Sequence, residues 1–570
     1  RLYRPLVVST YAVNYALGGL NPFGYHLVNV ILHLAVTWVL YVVAIEVGFS
    51  RVAALMGAAV FAVHPIHTEA VTGVVGRAEV LMSLGVLGGL WAAIHGRALL
   101  SLVAFGVGLF SKEQAAVLPF LILLYDVCRR KRLVEGRRRG DRLKFFEAAI
   151  VRYGGYFLVL GGYLVMRGIA LQGFRLPPVG FIENPLAYAE GYSRVLTALK
   201  VAGKYLWLFI WPASLSADYS YNSIPIAGSI LEPGVFLALV GWGGLLCLAF
   251  YSFFRGERRA AFCVGFTAVT FLPVANLIVP IGTIMGERLF YLPSAGLCLL
   301  AGLTQDYLPR SATAKSRLRE RGARSGGKAG VGFLSTAMRP VGIAILALVC
   351  VSFTVRTFLR NRDWANDETL FQKDIQAFPE NAKLNFFMGS GAMDKQQWER
   401  ALSFFQTASA INPRYSQSDA LFSNRYGKLL LEVGRTHEAI DALEQATGIA
   451  PTWSVPQFNL GLAYAKQRRY QEAEAALRRA VSLNSQAADV YSSLSRLLIE
   501  MSRFEEAVSA AEEALRRDPE FLWAHFNRAW ALEKLGRFPE AAAGYETVLS
   551  LGRNLDLGEI QQRLLKLRER

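Results

Sequence analysis

Long apolar runs constrain this chain more than any other feature. A helix needs about 20 residues to cross the hydrocarbon core of a bilayer. Six stretches in the first 360 residues have that length: 24 to 47, 148 to 167, 233 to 254, 260 to 279, 289 to 306 and 340 to 358. Lipid offers no hydrogen bonds, so each run has to bond its own backbone and reads as a helix. Between Arg51 and Cys128 the text is also apolar, but it breaks at His64 to Glu69, His95 to Arg97 and Ser111 to Glu113. Those breaks predict four shorter helices over 52 to 63, 79 to 94, 98 to 110 and 114 to 127. With 53% hydrophobic and only 18% charged residues, the chain lacks the charge to coat several soluble domains, which excludes a wholly soluble or a disordered protein.

The formal charge of +17 does not point to nucleic acid, because many of the Lys and Arg residues stand in loops between apolar runs. They form three islands: Arg129 to Lys144, Arg255 to Arg259 and Arg310 to Arg339. The positive-inside rule places all three in the cytoplasm. The loops at 1 to 23, 64 to 78, 111 to 113, 168 to 232 and 280 to 288 then fall on the opposite side, with everything after Arg360. Counting Leu196 to Trp211 as a span would put the second island outside, so it reads as an interfacial or re-entrant helix. The five cysteines lie in or beside apolar stretches and imply neither a disulfide framework nor a cysteine metal site.

The second half repeats. Trp398-Glu-Arg-Ala401, His437-Glu-Ala439, Tyr470-Gln-Glu-Ala473, Phe504-Glu-Glu-Ala507 and Phe538-Pro-Glu-Ala541 share one pattern, and from Ala439 onward its alanines recur every 34 residues. That period is the tetratricopeptide (TPR) pattern, in which small residues let two antiparallel helices approach closely. Gly389, Gly427, Gly461, Pro413, Pro451 and Pro519 fall in phase with it. The expected fold is all-α: a multi-span transmembrane helical domain over 1–360, five TPR units forming an α-solenoid over 361–553, and a capping helix over 554–570.

Polar groups at membrane depth mark function, and here they gather on the non-cytoplasmic side. The densest run is His64-Pro-Ile-His67-Thr-Glu69, followed by Arg77 and Glu79. Three readings compete for it: a divalent metal site, a hairpin cap, or a polar site wall. The spacing does not set His64, His67 and Glu69 on one helical face, and Pro65 makes the segment a turn. No cofactor is firmly implied. Lys112, Arg288 and Arg4 are candidate cations for a lipid-linked phosphate, with an interfacial anchor as the alternative for each. Glu287 and Tyr291 complete the wall beside Arg288. In the repeats, Asn424, Asn459 and Asn527 are candidates for binding an extended polypeptide, since an amide can both donate to and accept from an extended backbone; a solvated or capping role is the alternative.

Tyr3-Arg4-Pro5-Leu6, Asn14-Tyr15, Tyr25-His26-Leu27-Val28-Asn29 with His33, His64 to Glu69, Gly76-Arg77-Ala-Glu79, Ser111-Lys112-Glu113, Leu215 to Ser220 and Glu287 to Ser294 occur in this order along the chain. Together with the repeats, the set resembles the TMTC family of transmembrane and TPR-repeat O-mannosyltransferases and their bacterial homologues. The resemblance implies a GT-C-like membrane glycosyltransferase. Such an enzyme moves a sugar, mannose in that family, from a polyprenyl or dolichyl phosphate to Ser or Thr of a protein acceptor outside the cytoplasm. The membrane is then the bacterial inner membrane or that of the endoplasmic reticulum, with the repeats periplasmic or lumenal and recruiting the acceptor. The resemblance also implies an acidic general base in the first outer loop. Tyr3-Arg4-Pro5-Leu6 resembles the end of that loop, so the first span and its acidic pair are expected upstream of Arg1, leaving Glu69 and Asp218 as the candidates present. A membrane-anchored TPR scaffold without transferase activity is the alternative.

The topology is testable. Protease added to sealed vesicles with the cytoplasmic face outward is expected to cut between Arg310 and Arg339 and to spare residues 380 to 550. Cleavage within the repeats would reverse the orientation.

Overall fold

The computed structural model describes residues 3–129, 141–173, 179–308, 330–552 and 557–569. They form helices, with no strand among the described residues. The chain divides into two compact units, Arg1–Asn381 and Ala382–Arg570.

The first unit runs α1 (Pro5–Gly18), α2 (Pro22–Val47), α3 (Arg51–Val63), α4 (Thr68–Val71), α5 (Arg77–Ile94), α6 (Ala98–Ser111), α7 (Leu118–Arg129), α8 (Asp141–Ala170), α9 (Gly191–Ile210), α10 (Pro233–Phe254), α11 (Arg258–Phe271), α12 (Tyr291–Tyr307), α13 (Gly330–Asp363) and α14 (Asp367–Ala377). Local chemistry sets several boundaries. Asn21 caps α2, its Oδ1 accepting the Phe23 N–H at 3.0 Å, with Pro22 at the first helical position. Gly48 ends that helix in the left-handed region at φ 103°, and Ser50 caps α3.

Four helices are long and apolar enough to cross a membrane: Pro22–Val47, Val74–Ile94, Pro233–Phe254 and Pro340–Asp363. A fifth is counted if Arg51–Val63 and Pro65–Val71, bent by 51°, make one broken span. The bend falls at Pro65, which has no N–H to donate to the preceding turn. Other expectations change. The apolar run 260 to 279 is not one helix: α11 stops after 14 residues and a short 3-10 turn follows at Leu272–Val274, centred on Pro273. Residues 5–18, read as loop, form α1. Much of the first and third basic islands, Arg130 to Arg139 and Arg310 to Lys328, lies outside the described residues.

Small residues let the helices approach. A Cβ on Gly302 of α12 would stand 2.3 Å from the Ala53 carbonyl oxygen of α3, and one on Gly85 of α5 would stand 2.7 Å from the Ala104 oxygen of α6. Close backbone packing of this kind holds helices together where lipid supplies no hydrophobic drive.

The first unit extends past residue 360, the expected boundary. Arg360, Asp374 and Asn381 bond within it: Asp374 accepts the Ala217 N–H at 2.7 Å, and the Asn381 amide donates to Ser223 Oγ at 2.8 Å. The stretch after α13 therefore folds onto the loop that follows α9.

The second unit is five helical hairpins: α15 (Ala382–Asp394) with α16 (Trp398–Ile411), α18 (Ala420–Glu432) with α19 (Thr436–Ile449), α20 (Ser454–Lys466) with α21 (Tyr470–Leu483), α22 (Ala488–Glu500) with α23 (Phe504–Arg517), and α24 (Leu522–Lys534) with α25 (Phe538–Leu551). The short α17 (Tyr415–Ser418) takes up the extra residues of the second repeat, and Tyr415 stacks on Phe422 at 4.3 Å. A terminal α26 (Gly558–Arg568) covers the array with Ile560, Leu564 and Leu567. Ala401, Ala439, Ala473, Ala507 and Ala541 are completely buried, as the repeat pattern requires. Ion pairs Arg435–Glu438, Arg469–Glu472, Arg503–Glu506 and Arg537–Glu540 recur in phase near the second helix start of four hairpins.

Overpacking a tight helix contact costs about 1–3 kcal/mol. Gly302→Ala is therefore expected to lower the thermal midpoint of the purified protein. Gly88→Ala, where a Cβ meets nothing within 4 Å, is expected to leave it unchanged or raise it. Equal midpoints for the two variants would show that Gly302 is not a packing point.

Candidate functional site

The site lies where α1, the early turns of α2, the bent segment after α3, the start of α5 and the turn before α12 meet. Arg77, at the first position of α5, is completely buried. Its Nε donates to Asn29 Oδ1 at 2.8 Å, Nη1 to Asn14 Oδ1 at 2.6 Å and Thr10 Oγ1 at 3.2 Å, and Nη2 to the Tyr25 carbonyl at 2.9 Å. The Tyr11 ring centroid lies 4.7 Å from the guanidinium carbon. Neutral oxygens thus hold this charge, and Glu69 is not among its partners.

Glu69 is the partner of Arg288. Its Oε2 accepts the Arg288 backbone N–H at 2.8 Å and its Oε1 accepts the guanidinium. The Arg288 side chain is 39% exposed while that of Glu69 is 4% exposed, so this cation has an open side. Lys112 and Glu79 make a second pair, with both side chains buried. Arg4 lies 3.6 Å from Glu113, and its Nε is buried without a hydrogen-bond partner. Burial disfavours the Lys112 ammonium, and the like charges of Arg4 and Arg288 disfavour it further, so the three candidate cations share one neighbourhood.

Glu287 and Asp218 are not where the sequence placed them. Glu287 does not line an open wall. It is buried, its Oε1 accepting the Tyr219 hydroxyl at 2.7 Å and the Ser216 N–H at 2.6 Å, and burial pushes its carboxyl up to about 8. Asp218 is not an open base. Its Oδ1 accepts the Ser220 N–H at 2.8 Å, the Ser220 hydroxyl, and the Asn381 amide at 3.1 Å, which spends the carboxylate on the loop's own shape. Beneath that loop Arg360 pairs with Asp374 at 2.9 Å in full burial, and Asp374 Oδ2 accepts the Ala217 N–H. Neither residue was legible beforehand, since Arg360 reads as the polar end of an apolar run.

The histidines brace the bend. His64 Nδ1 accepts the Ile66 N–H at 3.2 Å, so Nε2 carries the proton donated to the Phe209 carbonyl at 2.9 Å. His67 bonds the Phe61 carbonyl at 2.9 Å and Ser294 Oγ at 2.8 Å. His33 bonds Tyr291 Oη at 2.6 Å and the Ala62 carbonyl at 3.0 Å. His64, His67 and Tyr291 are therefore buried braces and not open walls. Among the described residues no group of three His, Cys, Asp or Glu is placed to hold a metal ion.

Beside this centre is an apolar cavity of about 850 Å³ between α9, α10 and α12, lined by Trp207, Phe209, Leu237, Leu245, Leu297 and Leu300. Lys200 and Lys204 also line it. The Lys204 ammonium lies 5.0 Å from the Tyr219 ring centroid, and the hydroxyl of that tyrosine donates to Glu287. The next residue, Tyr205, donates to the Gly286 carbonyl at 2.9 Å. The cavity thus adjoins the turn that carries Arg288.

In the solenoid, Asn424, Asn459 and Asn527 do not face a groove. All three are buried: Asn459 Nδ2 donates to Asn424 Oδ1 at 2.8 Å, and Asn527 Nδ2 donates to the Ser492 carbonyl at 2.8 Å. They stitch neighbouring repeats, because an amide trapped between stacked helices has to be bonded there.

Apolar helices that enclose a paired-charge centre, followed by a TPR solenoid, define a multi-pass membrane protein with TPR repeats. Comparison with known proteins shows what the chain is similar to. Residues 173–246 match the model described as "Protein O-mannosyl-transferase TMTC, DUF1736", and residues 422–452, 456–487 and 492–554 match tetratricopeptide repeat models. Human "Protein O-mannosyl-transferase TMTC3" is 27% identical over 553 residues, covering 88% of this chain and 56% of that protein. Human "Protein O-mannosyl-transferase TMTC4" is 29% identical over 462 residues, covering 71% and 57%. Among solved structures, MamA is 23% identical and covers 29% of this chain and 95% of its own, with a TM-score of 0.27. The chain is similar to these TMTC proteins over most of its own length and spans little more than half of theirs.

Removing one partner of a buried ion pair costs about 3–5 kcal/mol, because the other charge is left uncompensated. Lys112→Met is expected to destabilise the protein on that scale through Glu79, and adding Glu79→Gln is expected to recover most of the loss in thermal midpoint. No recovery in the double variant would show that the pair is not the cause.

Proposed function

We propose that this chain carries the greater part of a membrane O-mannosyltransferase. It takes mannose from a polyprenyl or dolichyl phosphate and attaches it to Ser or Thr of a protein acceptor on the non-cytoplasmic side. The observation that carries the reading is the apolar cavity adjoining the Glu287–Arg288 turn: a lipid chain fits the one, and a phosphate fits the exposed side of the other. The names of the relatives, protein O-mannosyl-transferases, support the reaction class and the sugar.

In the transfer, the acceptor oxygen bonds to the sugar's anomeric carbon, the bond from that carbon to the phosphate oxygen breaks, and the acceptor proton passes to a base. Negative charge grows on the departing lipid phosphate. Arg288 is the group placed to stabilise it, while Lys112 is compensated by Glu79 and Arg4 lies beside Glu113. Glu69 acts here as a positioning residue, since it fixes both the backbone and the guanidinium of Arg288. The base falls to the acidic first-loop residue that the family resemblance implies. One observation favours the second reading, a membrane-anchored scaffold: Glu69, Glu79 and Asp218 are all already engaged.

The solenoid is proposed to recruit the acceptor. With the asparagines spent inside the array, the exposed Leu421, Val455 and Trp523 are better candidates, all at the second position of a first helix.

Arg288→Ala is expected to cut transfer from lipid-linked mannose by about two to three orders of magnitude, the range for a lost oxyanion donor. Arg288→Lys is expected to recover part, because it keeps the charge without the fork. Wild-type transfer by the alanine variant would reduce Arg288 to an anchor, and no transfer by the wild-type full-length protein would favour the scaffold. Full-length enzyme truncated after Asn381 is expected to keep modifying a short peptide but to lose activity on a folded acceptor. Equal activity on both would remove the recruiting role.

A further inference from the structure

A second pocket lies among α2, α7 and α11. It has a volume of about 240 Å³ and is walled by Val47 at the end of α2, Tyr125, Cys128 and Arg129 at the end of α7, and Gly256 to Arg259 with Phe262 at the start of α11. Three of these residues are arginines.

The acids nearby are engaged, although Asp306 Oδ1 is buried with no hydrogen-bond partner among the described residues. Asp306 accepts from Arg259 Nη1 at 2.8 Å and from the Ser50 N–H at 3.0 Å. Glu257 accepts from Arg259 Nη2 and from the Tyr307 hydroxyl, both at 3.3 Å. Asp126 is held by Arg152 at 2.6 Å and by the Tyr153 hydroxyl at 2.9 Å, and Glu46 lies 3.5 Å from His95. Arg259 therefore takes both acids at the pocket's edge. Arg129 and Arg258 make no ion pair among the described residues; the Arg258 guanidinium carbon lies 5.4 Å from the Phe253 ring centroid, and its Nη1 is buried with no hydrogen-bond partner there.

A topology signal accounts for the exposed Arg129 but not for the inward Nη1 of Arg258. Loop cations that orient a membrane protein extend into water or toward the headgroups, and their number matters more than their geometry. A guanidinium nitrogen turned inward and left unbonded costs free energy unless something fills its place. Arginine forks fit the oxygens of a phosphate, and the apolar sides of Val47, Tyr125 and Phe262 fit carbon attached to it.

We propose that this pocket binds a phosphate-bearing anion through Arg129 and Arg258. Its source is either the headgroup of an anionic phospholipid or a soluble phosphate ester.

Native mass spectrometry of the detergent-purified protein tests this with phosphatidylglycerol, phosphatidylcholine and inorganic phosphate as probes. Phosphatidylglycerol is expected to be retained about tenfold more than phosphatidylcholine, a difference of about 1.4 kcal/mol. The Arg129→Gln/Arg258→Gln protein is expected to lose that preference, while Arg255→Gln, outside the pocket, keeps it. Millimolar inorganic phosphate that displaces phosphatidylglycerol assigns the site to soluble phosphates; failure to displace it assigns the site to the lipid. Retention of the preference by the double variant, or an equal loss in Arg255→Gln, overturns the proposal. Should the double variant not fold, Arg129→Gln alone, at an exposed side chain, carries the same comparison with the same two outcomes.

Discussion

One carboxylate ties the membrane unit together at its functional end. Glu69 sits just past the bend that Pro65 forces after α3, and it binds the backbone N–H and the guanidinium of Arg288, 219 residues further on. A charge in so dry a place persists only when paired and hydrogen-bonded. The pairing therefore fixes two segments at once: the broken helix and the turn that starts α12. The histidine braces extend the same joint, with His67 on Ser294 and His33 on Tyr291. Because Glu69 holds Arg288 from the inner side only, the guanidinium is positioned and still reachable, which is what a phosphate-binding cation needs.

Around this joint the remaining charges fall into two kinds. Lys112–Glu79 and Arg360–Asp374 are pairs closed off from solvent, although Arg360 Nε and Nη2 find no hydrogen-bond partner among the described residues. Arg77 has no acid partner among the described residues and rests on asparagine, threonine and backbone oxygens and a tyrosine ring, which locks α1, α2 and α5 in register. The ordered motifs that marked the family resemblance, Asn14, Tyr25, Asn29 and His33 among them, are largely the residues that build these contacts.

That pattern explains what the text could and could not convey. Apolar length revealed Pro22–Val47 and Pro233–Phe254 directly, and a 34-residue period revealed the solenoid, because both signals are local and repetitive. The polar residues of the site were legible as a set, since charge in an apolar setting stands out. Their partners were not: nothing in the spacing tells that Glu69 takes Arg288 and leaves Arg77 to Asn14 and Asn29. Arg360 and Asp374 went unseen for the same reason. Asn424, Asn459 and Asn527 misled because the face a helix buries in a solenoid depends on its neighbours, and theirs turned inward.

The account stands or falls on a lipid-linked sugar seated between α9, α10 and α12 with its phosphate at Arg288. Photo-crosslinking with a mannosyl polyprenyl phosphate that bears a diazirine in its first isoprene units, followed by peptide mapping, tests this most directly. The account predicts label on Trp207, Leu237 and Leu300, removed by excess unlabelled donor. Label confined to other helices, or undiminished by competitor, would contradict it.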